Sequence, residues 1–251
     1  MATSLHWLLR RALPPTLRGR VRTLADLVLA PWLGSVRATR STTHVSVTFD
    51  DGPDPEVTPA LLDELDRHGA SSTFFLLVAQ CRKHPELARE IVRRGHEVAL
   101  HGVDHTRLTT RSSADAEQYL REGRAELESI VGRPVRYYRP PYGAQSVRSY
   151  RATRRAGLTV VVWSGDAADW VDRPAAEVVT DGLHALGPGG ILLMHERLEP
   201  DPGRGAPVTS FDRCTVVDGL LTGCRERGWT PATVGSRLDT DGGRLTAWFR
   251  P

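Results

Sequence analysis

Asp50 and Asp51 stand side by side in VTFDDGPDP, residues 47–55, where an apolar run gives way to a Gly-Pro turn. Adjacent carboxylates repel each other, and water or a nearby cation relieves the repulsion. A helix start accounts for part of the stretch, with Asp54 as N-cap, Pro55 in the first helical position and Glu56 in the first turn. It does not account for Asp50 and Asp51. The stretch HGVDH supplies His101 and His105, four positions apart. In a helical turn that spacing puts both imidazoles on one face, within reach of one metal ion. Two imidazoles and a carboxylate make a three-ligand site with open positions, as catalytic zinc sites have. One aspartate then binds the cation, and the other is left to take a proton. Three further stretches carry polar residues directly after apolar runs: RPPYG with Arg139 and Tyr142, DAADW with Asp166, Asp169 and Trp170, and LMH ending at His195. Each alone has a plain structural explanation: a Pro-Pro corner, a helix cap beside a packed Trp, and a buried histidine bonded to a carbonyl.

Positioning these residues together requires a scaffold that brings strand ends to one side. HVSVTF, STFFLLV, HEVALH, VRYY, LTVVVW and GGILLMH read as strands, and a last short one falls near WTPATV. Helical segments alternate with them: TPALLDELDRHG, PELAREIVRRG, SADAEQYLREGRAELESIVG, SVRSYRATRRAG, AAEVVTDGLHAL and VVDGLLTGCRERG, several closed by Gly. Seven strand candidates alternating with helices indicate a parallel barrel or a doubly wound sheet. In an α/β barrel, chemistry sits at the carboxyl ends of the strands, where these motifs fall. The Pro- and Gly-rich stretch RLEPDPGRGAPVTSFDR, around residues 198–213, suits a lid, a binding loop or a surface excursion. Nothing in the pattern places DGGRLTAWFRP.

A chain of 251 residues suits one α/β barrel. No run approaches the roughly 18 apolar residues of a membrane span. Residues 1–40 hold seven arginines against one acid, a charge of +6 in a chain whose net charge is +3. This Leu- and Trp-bearing leader can lie on an anionic membrane surface or pack as an amphipathic helix on the domain. Arg10, Arg11 and the prolines interrupt the apolar run that a secretory signal needs. The three scattered cysteines suit a reducing compartment. The expectation is a cytoplasmic protein, with peripheral contact at the inner membrane face and no nucleic-acid partner.

With these residues in view, the chain resembles the polysaccharide deacetylases of carbohydrate esterase family 4, the NodB-homology domain. Five ordered motifs carry the resemblance over about residues 43–236: TFDDGP, HGVDH, RPPYG, DAADW and LMH. It implies a distorted (β/α)7, TIM-like barrel as a single catalytic domain over residues 43–236, preceded by a basic segment (1–42) and followed by a tail (237–251). It implies metal-dependent removal of an acetyl group from an N-acetylated sugar. In that family's terms Asp50 is the general base, Asp51, His101 and His105 hold the metal, and Arg139 orients Asp50. His195 is the general acid paired with Asp169, Trp170 walls the acetyl pocket, and the Tyr142 backbone N–H faces the oxyanion. Zn²⁺ is the expected metal, with Co²⁺, Ni²⁺ or Mn²⁺ as alternatives. The sequence departs from the family at Gly102, where Ser or Thr normally steadies the ligand loop, and at Glu196, where Asp is frequent. The rival readings are an O-acetyl esterase or other C–N amidohydrolase on a small molecule, and a non-catalytic glycan-binding barrel.

Overall fold

A computed structural model describes residues 28–200, 205 and 207–250. Most of the basic leader, residues 1–27, lies outside the described residues, so the amphipathic-segment expectation falls there. A period of two governs β2 (His44–Asp50): Val45, Val47 and Phe49 join the main core, while Ser46, Thr48 and Asp50 alternate with them. The same alternation runs through β3 (Thr73–Leu77), β4 (Glu97–Gly102), β5 (Tyr137–Tyr138) and β8 (Ile191–His195), and the two-residue strands β6 (Thr159–Val160) and β7 (Gly165–Asp166) complete the sheet. Every pairing along the order β6-β5-β4-β3-β2-β8-β7 is parallel, and the short β9 (Thr230–Pro231) extends the start of β2.

The crossovers carry α1 (Thr58–Arg67), α2 (Val78–Lys83), α3 (Pro85–Arg93), α4 (Ser113–Val131), α5 (Val147–Arg155), α6 (Ala175–Ala185) and α7 (Arg213–Glu226). After β9 comes α8 (Val234–Asp241). Leu61, Leu62, Leu65, Ile91, Leu120, Leu127 and Leu220 pack from these helices onto the outward strand residues. Each such fully buried side chain contributes about 1.5–3 kcal/mol. Phe75, Ala99, Tyr137, Val161 and Ile191 form a second, smaller core on the concave face of the sheet. The result is the distorted (β/α)7 barrel expected from the sequence, a curled parallel sheet with helices around it.

Local chemistry sets the element ends. Ser112 caps α4 by accepting from the Asp115 N–H, and Gly132 closes it in the left-handed region at φ 66°. Asp54 accepts from the Glu56 and Val57 N–H groups, but the turn it caps precedes α1, which begins at Thr58.

β6 and β7 are not paired with each other, so the barrel has a seam. β1 (Ser35–Thr39), paired antiparallel with β10 (Gly243–Thr246), spans it. Val36 accepts from the Val162 N–H at 2.8 Å on one flank, and the Thr39 N–H donates to Gly189 at 2.7 Å on the other. The C-terminal stretch that carried no readable pattern supplies β10, and Trp248 sets its indole against Trp163, centroids 5.0 Å apart. The boundaries drawn at 42/43 and 236/237 therefore cut across this packing.

Candidate active site

The parity that sends Val47 and Phe49 outward turns Thr48 and Asp50 into the barrel. There Asp50 lies level with His195, its partner residue on β8, and Leu100 is level with Tyr138, which brings His101 and Arg139 to the same height. All nine residues to which the resemblance assigns a role converge at this carboxyl end.

Asp51 follows β2 in the left-handed region at φ 71°, an unusual backbone for a non-glycine residue and one that concentrates at functional sites. Its Oδ1 lies 3.3 Å from His101 Nε2 and 3.5 Å from His105 Nε2. Ligand bonds of about 2.0–2.1 Å in a tetrahedron put ligand atoms about 3.3–3.4 Å apart, so this triangle fits one cation of the zinc class. Two further observations agree. Asp51 Oδ1 is buried without a hydrogen bond. The His101 Nδ1 is 2.9 Å from the Arg139 carbonyl, a contact that in the neutral ring places the proton on that nitrogen and leaves Nε2 a lone pair for a cation. Burial pushes the Asp51 carboxyl up, but His101, His195 and His105 outweigh it and hold Asp51 well below the usual carboxylate range. Burial, with His101 beside it, lowers His105 to about 4 against the pull of Asp51, so this imidazole is neutral near pH 7. The Glu199 N–H, from the loop after β8, donates to the other Asp51 oxygen at 3.2 Å.

Two titratable side chains, Asp50 and His195, flank the triangle, each with its own support. Arg139, fully buried, donates to Asp50 Oδ1 at 2.6 Å and to Thr48 Oγ1 at 2.8 Å, its guanidinium lying 3.9 Å over the Phe75 ring. Thr48 in turn donates to the Leu192 carbonyl at 2.7 Å, so Asp50 has one orientation available. On the other side, Asp169 receives the His195 ring Nδ1 at 2.8 Å, the His195 backbone N–H at 2.8 Å and Arg213 at 2.8 Å. Burial disfavours the imidazolium, but Asp169, aided by Asp51 and Asp50, raises His195 to about 9. His195 is therefore protonated at neutral pH. The Trp170 ring stands edge-on to His195, centroids 5.8 Å apart, and is 38% exposed, a wall open on one side. Tyr142 sits at φ 59° with its ring 4.3 Å from that of His105.

The two departures from the family motifs have local causes. Gly102 has φ 138°, and a Cβ there would come within 2.6 Å of the Asp104 carbonyl, so a Ser or Thr does not fit this loop path. Tyr119 on α4 supplies a hydroxyl instead. Its oxygen accepts from the Val103 and Asp104 N–H groups at 2.9 Å each and donates to Asp104 Oδ1 at 2.7 Å. Glu196, fully buried, accepts from Thr58 and lies against Gly52, where any Cβ would overlap its carboxylate. Burial, then Asp54, Asp51 and Asp50, raise it to about 8, leaving it largely neutral at pH 7.

Sequence reasoning missed Thr48, Tyr119, Arg213 and Glu196 as supports. Thr48 carried a signal as the polar residue two before Asp50 on the same strand face, and Glu196 stood out only as a departure from the family motif. Tyr119 reads as an ordinary helix-face aromatic, and Arg213 follows a stretch without periodicity.

Residues 37–161 match the model of the family described as polysaccharide deacetylase. A chitooligosaccharide deacetylase of Sinorhizobium fredii is 38% identical over 188 residues, covering 74% of this chain and 87% of that protein. Among solved structures, the Bc1960 peptidoglycan N-acetylglucosamine deacetylase superposes with a TM-score of 0.71 at 26% identity, over 84% of this chain and 94% of that one. A Bacillus anthracis pseudoenzyme of carbohydrate esterase family 4, BA3943, reaches 0.72 at 23% identity, over 84% of this chain and 70% of that one, a likeness of fold alone. On the match of sequence, fold and motif order together, this chain belongs to the polysaccharide deacetylase family.

Proposed function

We propose that this chain is a hydrolase that removes the acetyl group from an N-acetylated sugar of a glycan, glycolipid or glycosylated precursor. The observation that carries it is the flanking of one three-ligand cluster by two separately supported proton groups, Asp50 on Arg139 and His195 on Asp169. The naming of the Sinorhizobium relative as a chitooligosaccharide deacetylase supports the substrate class.

Asp51, His101 and His105 would hold a divalent cation, Zn²⁺ by donor type, with Co²⁺, Ni²⁺ or Mn²⁺ also compatible. When bound, it supplies Lewis-acid polarisation of the acetyl carbonyl and brings the pKa of a water toward about 7. The side chains do the rest. Asp50, fixed by Arg139, takes the proton of the water as it attacks the carbonyl carbon. The Tyr142 backbone N–H donates to the oxyanion as it develops. His195, protonated and held by Asp169, gives its proton to the amine nitrogen, the C–N bond breaks, and acetate and the free amine leave. Trp170 and Tyr142 wall the acetyl group.

Acetate release tests this on chitooligosaccharides, a GlcNAc-bearing glycolipid, peptidoglycan and acetylated xylan, using chelated protein with and without added Zn²⁺. Metal-restored release that Asp50→Asn lacks is expected from one of the first three substrates. Release from xylan alone turns the reading to O-acetyl ester hydrolysis. No release from any substrate by metal-loaded protein refutes it for these glycans. Peripheral membrane contact rests on the leader's charge and on Trp32, 81% exposed beside Val28 and Leu29. Among the described residues no helix is long and apolar enough to cross a membrane. Deleting residues 1–32, which removes Val28, Leu29 and Trp32 and spares β1, should abolish binding to anionic liposomes; undiminished binding rules the contact out.

A further inference from the structure

We propose that Glu64, His68 and Asp218 form a second divalent-cation site, of the zinc class, which clamps α1 to α7 on the helical layer outside the barrel. Glu64 and His68 are one turn apart, and Asp218 faces them from α7. His68 Nε2 lies 2.9 Å from Asp218 Oδ1 and 3.1 Å from Glu64 Oε1. These separations are somewhat shorter than those of the Asp51 triangle and close to the tetrahedral edge of about 3.3 Å.

The second observation is an orphan. One imidazole nitrogen carries at most one proton, and His68 Nε2 faces two carboxylates. Asp218 takes the contact, while Glu64, whose side chain is 5% exposed, keeps Oε1 buried without a hydrogen bond and aimed at that nitrogen. A lone pair on each of the three ligand atoms satisfies a cation together, where a single proton cannot. Arg67 occupies the other Glu64 oxygen and neutralises one of the two carboxylates, so the cluster keeps net negative charge when His68 is neutral. Asp218, 51% exposed on its side chain, leaves a route for the ion from solvent.

The position gives the clamp a consequence. α1 follows the turn that leaves β2 at Asp50 and Asp51, and its first residue, Thr58, binds Glu196. α7 opens with Arg213, which holds Asp169. A cation between these helices ties the element behind the proton acceptor to the element behind the proton donor.

The test counts zinc. Chelated wild-type protein is titrated calorimetrically with Zn²⁺ and, separately, loaded, desalted and analysed for metal. Two equivalents are expected for wild type and one each for Asp51→Asn and Asp218→Ala, with Asp218→Ala still releasing acetate. His68→Gln is the second variant should Asp218→Ala not fold, and it too should bind one. In the Asp51→Asn protein, added Zn²⁺ should still raise Tm by a few degrees, because only the folded state offers the cluster. One equivalent in wild type and none in Asp51→Asn overturns the proposal, as does a second equivalent that survives in Asp51→Asn/Asp218→Ala.

Discussion

The Tyr119 hydroxyl braces the loop between His101 and His105, and removing it should weaken metal binding at the proposed site without touching a ligand. Tyr119→Phe keeps the ring, including its place beneath the Arg111 guanidinium 4.3 Å away. It deletes two accepted backbone bonds at 2.9 Å and one donated to the Asp104 carboxylate at 2.7 Å. Neutral hydrogen bonds contribute about 0.5–1.5 kcal/mol net, and those to charged groups about 1.5–3 kcal/mol. Asp104 is exposed and Val103 partly so, and water replaces much of what is lost. A residual cost of about 2 kcal/mol falls on the loop between His101 and His105, which corresponds to roughly 30-fold in affinity. That lies inside the 10- to 100-fold span typical of groups that support metal ligands. Zn²⁺ affinity measured against a chelating competitor at pH 7.5 gives the readout, with acetate release at saturating metal beside it. The expected result is a weaker Kd and a rate at saturation within about threefold of wild type. An unchanged Kd, or a rate loss at saturation with affinity intact, refutes the argument.

In chelated protein, the His195 ring should titrate by NMR near pH 9, and Asp169→Asn should bring it toward 6.5, since Asp169 is the chief group raising it against burial. The stabilisation His195 contributes is full below about 6.5 and is lost as pH rises through about 9; a Tm gap between wild type and Asp169→Asn that widens above pH 9 contradicts this. Burial first, then Asp54, Asp51 and Asp50, raise Glu196 from 4.5 to about 8, so its contribution is full below about 4.5 and is lost as pH rises through about 8. In chelated protein Glu196→Gln should therefore match wild type at pH 5 and gain up to about 3 kcal/mol over it by pH 7 in denaturant titration, and a gap that does not change with pH refutes this. Arg139→Met leaves Asp50 alone inside the barrel and should cost about 3–5 kcal/mol of stability, most of it recovered in the inactive double variant Arg139→Met/Asp50→Asn. Equal instability of the single and double variants would show that Arg139 acts by packing.

Much of this arrangement was legible because the same rule writes both the fold and the site. The period of two that identifies HVSVTF as a strand also states that Asp50 shares a face with Ser46 and Thr48 and opposes Phe49. The glycines after the helical runs at 69, 95 and 132 all adopt positive φ, so the helix ends were readable in residue type. What could not be read is what depends on contacts distant in sequence. β1 and β10 are separated by more than 200 residues, and each is too short and too polar on one side to declare itself. Their partners exist only once the seam between β6 and β7 has formed. Arg213 reaches Asp169 across 44 positions and Glu196 reaches Thr58 across 138, distances at which no spacing rule operates.

The register of the sheet is where site and fold constrain each other. A one-residue slip of β2 against β8 would send Asp50 into the outer core with Val47 and Phe49, and bring an apolar side chain to Arg139. Such a slip would strand the Arg139 guanidinium, buried and unpaired, a penalty of several kcal/mol that apolar strands alone could not impose. The bond from Thr48 to the Leu192 carbonyl crosses the same β2–β8 pairing and resists the same slip. The ionic pair that orients Asp50 thus also fixes the register on which the Asp51 triangle depends. This explains how an enzyme interior carries a fully buried Arg-Asp pair whose replacement by apolar residues of like volume could leave it as stable: its worth lies in excluding the slipped sheet, in which His195 and Asp50 no longer stand level.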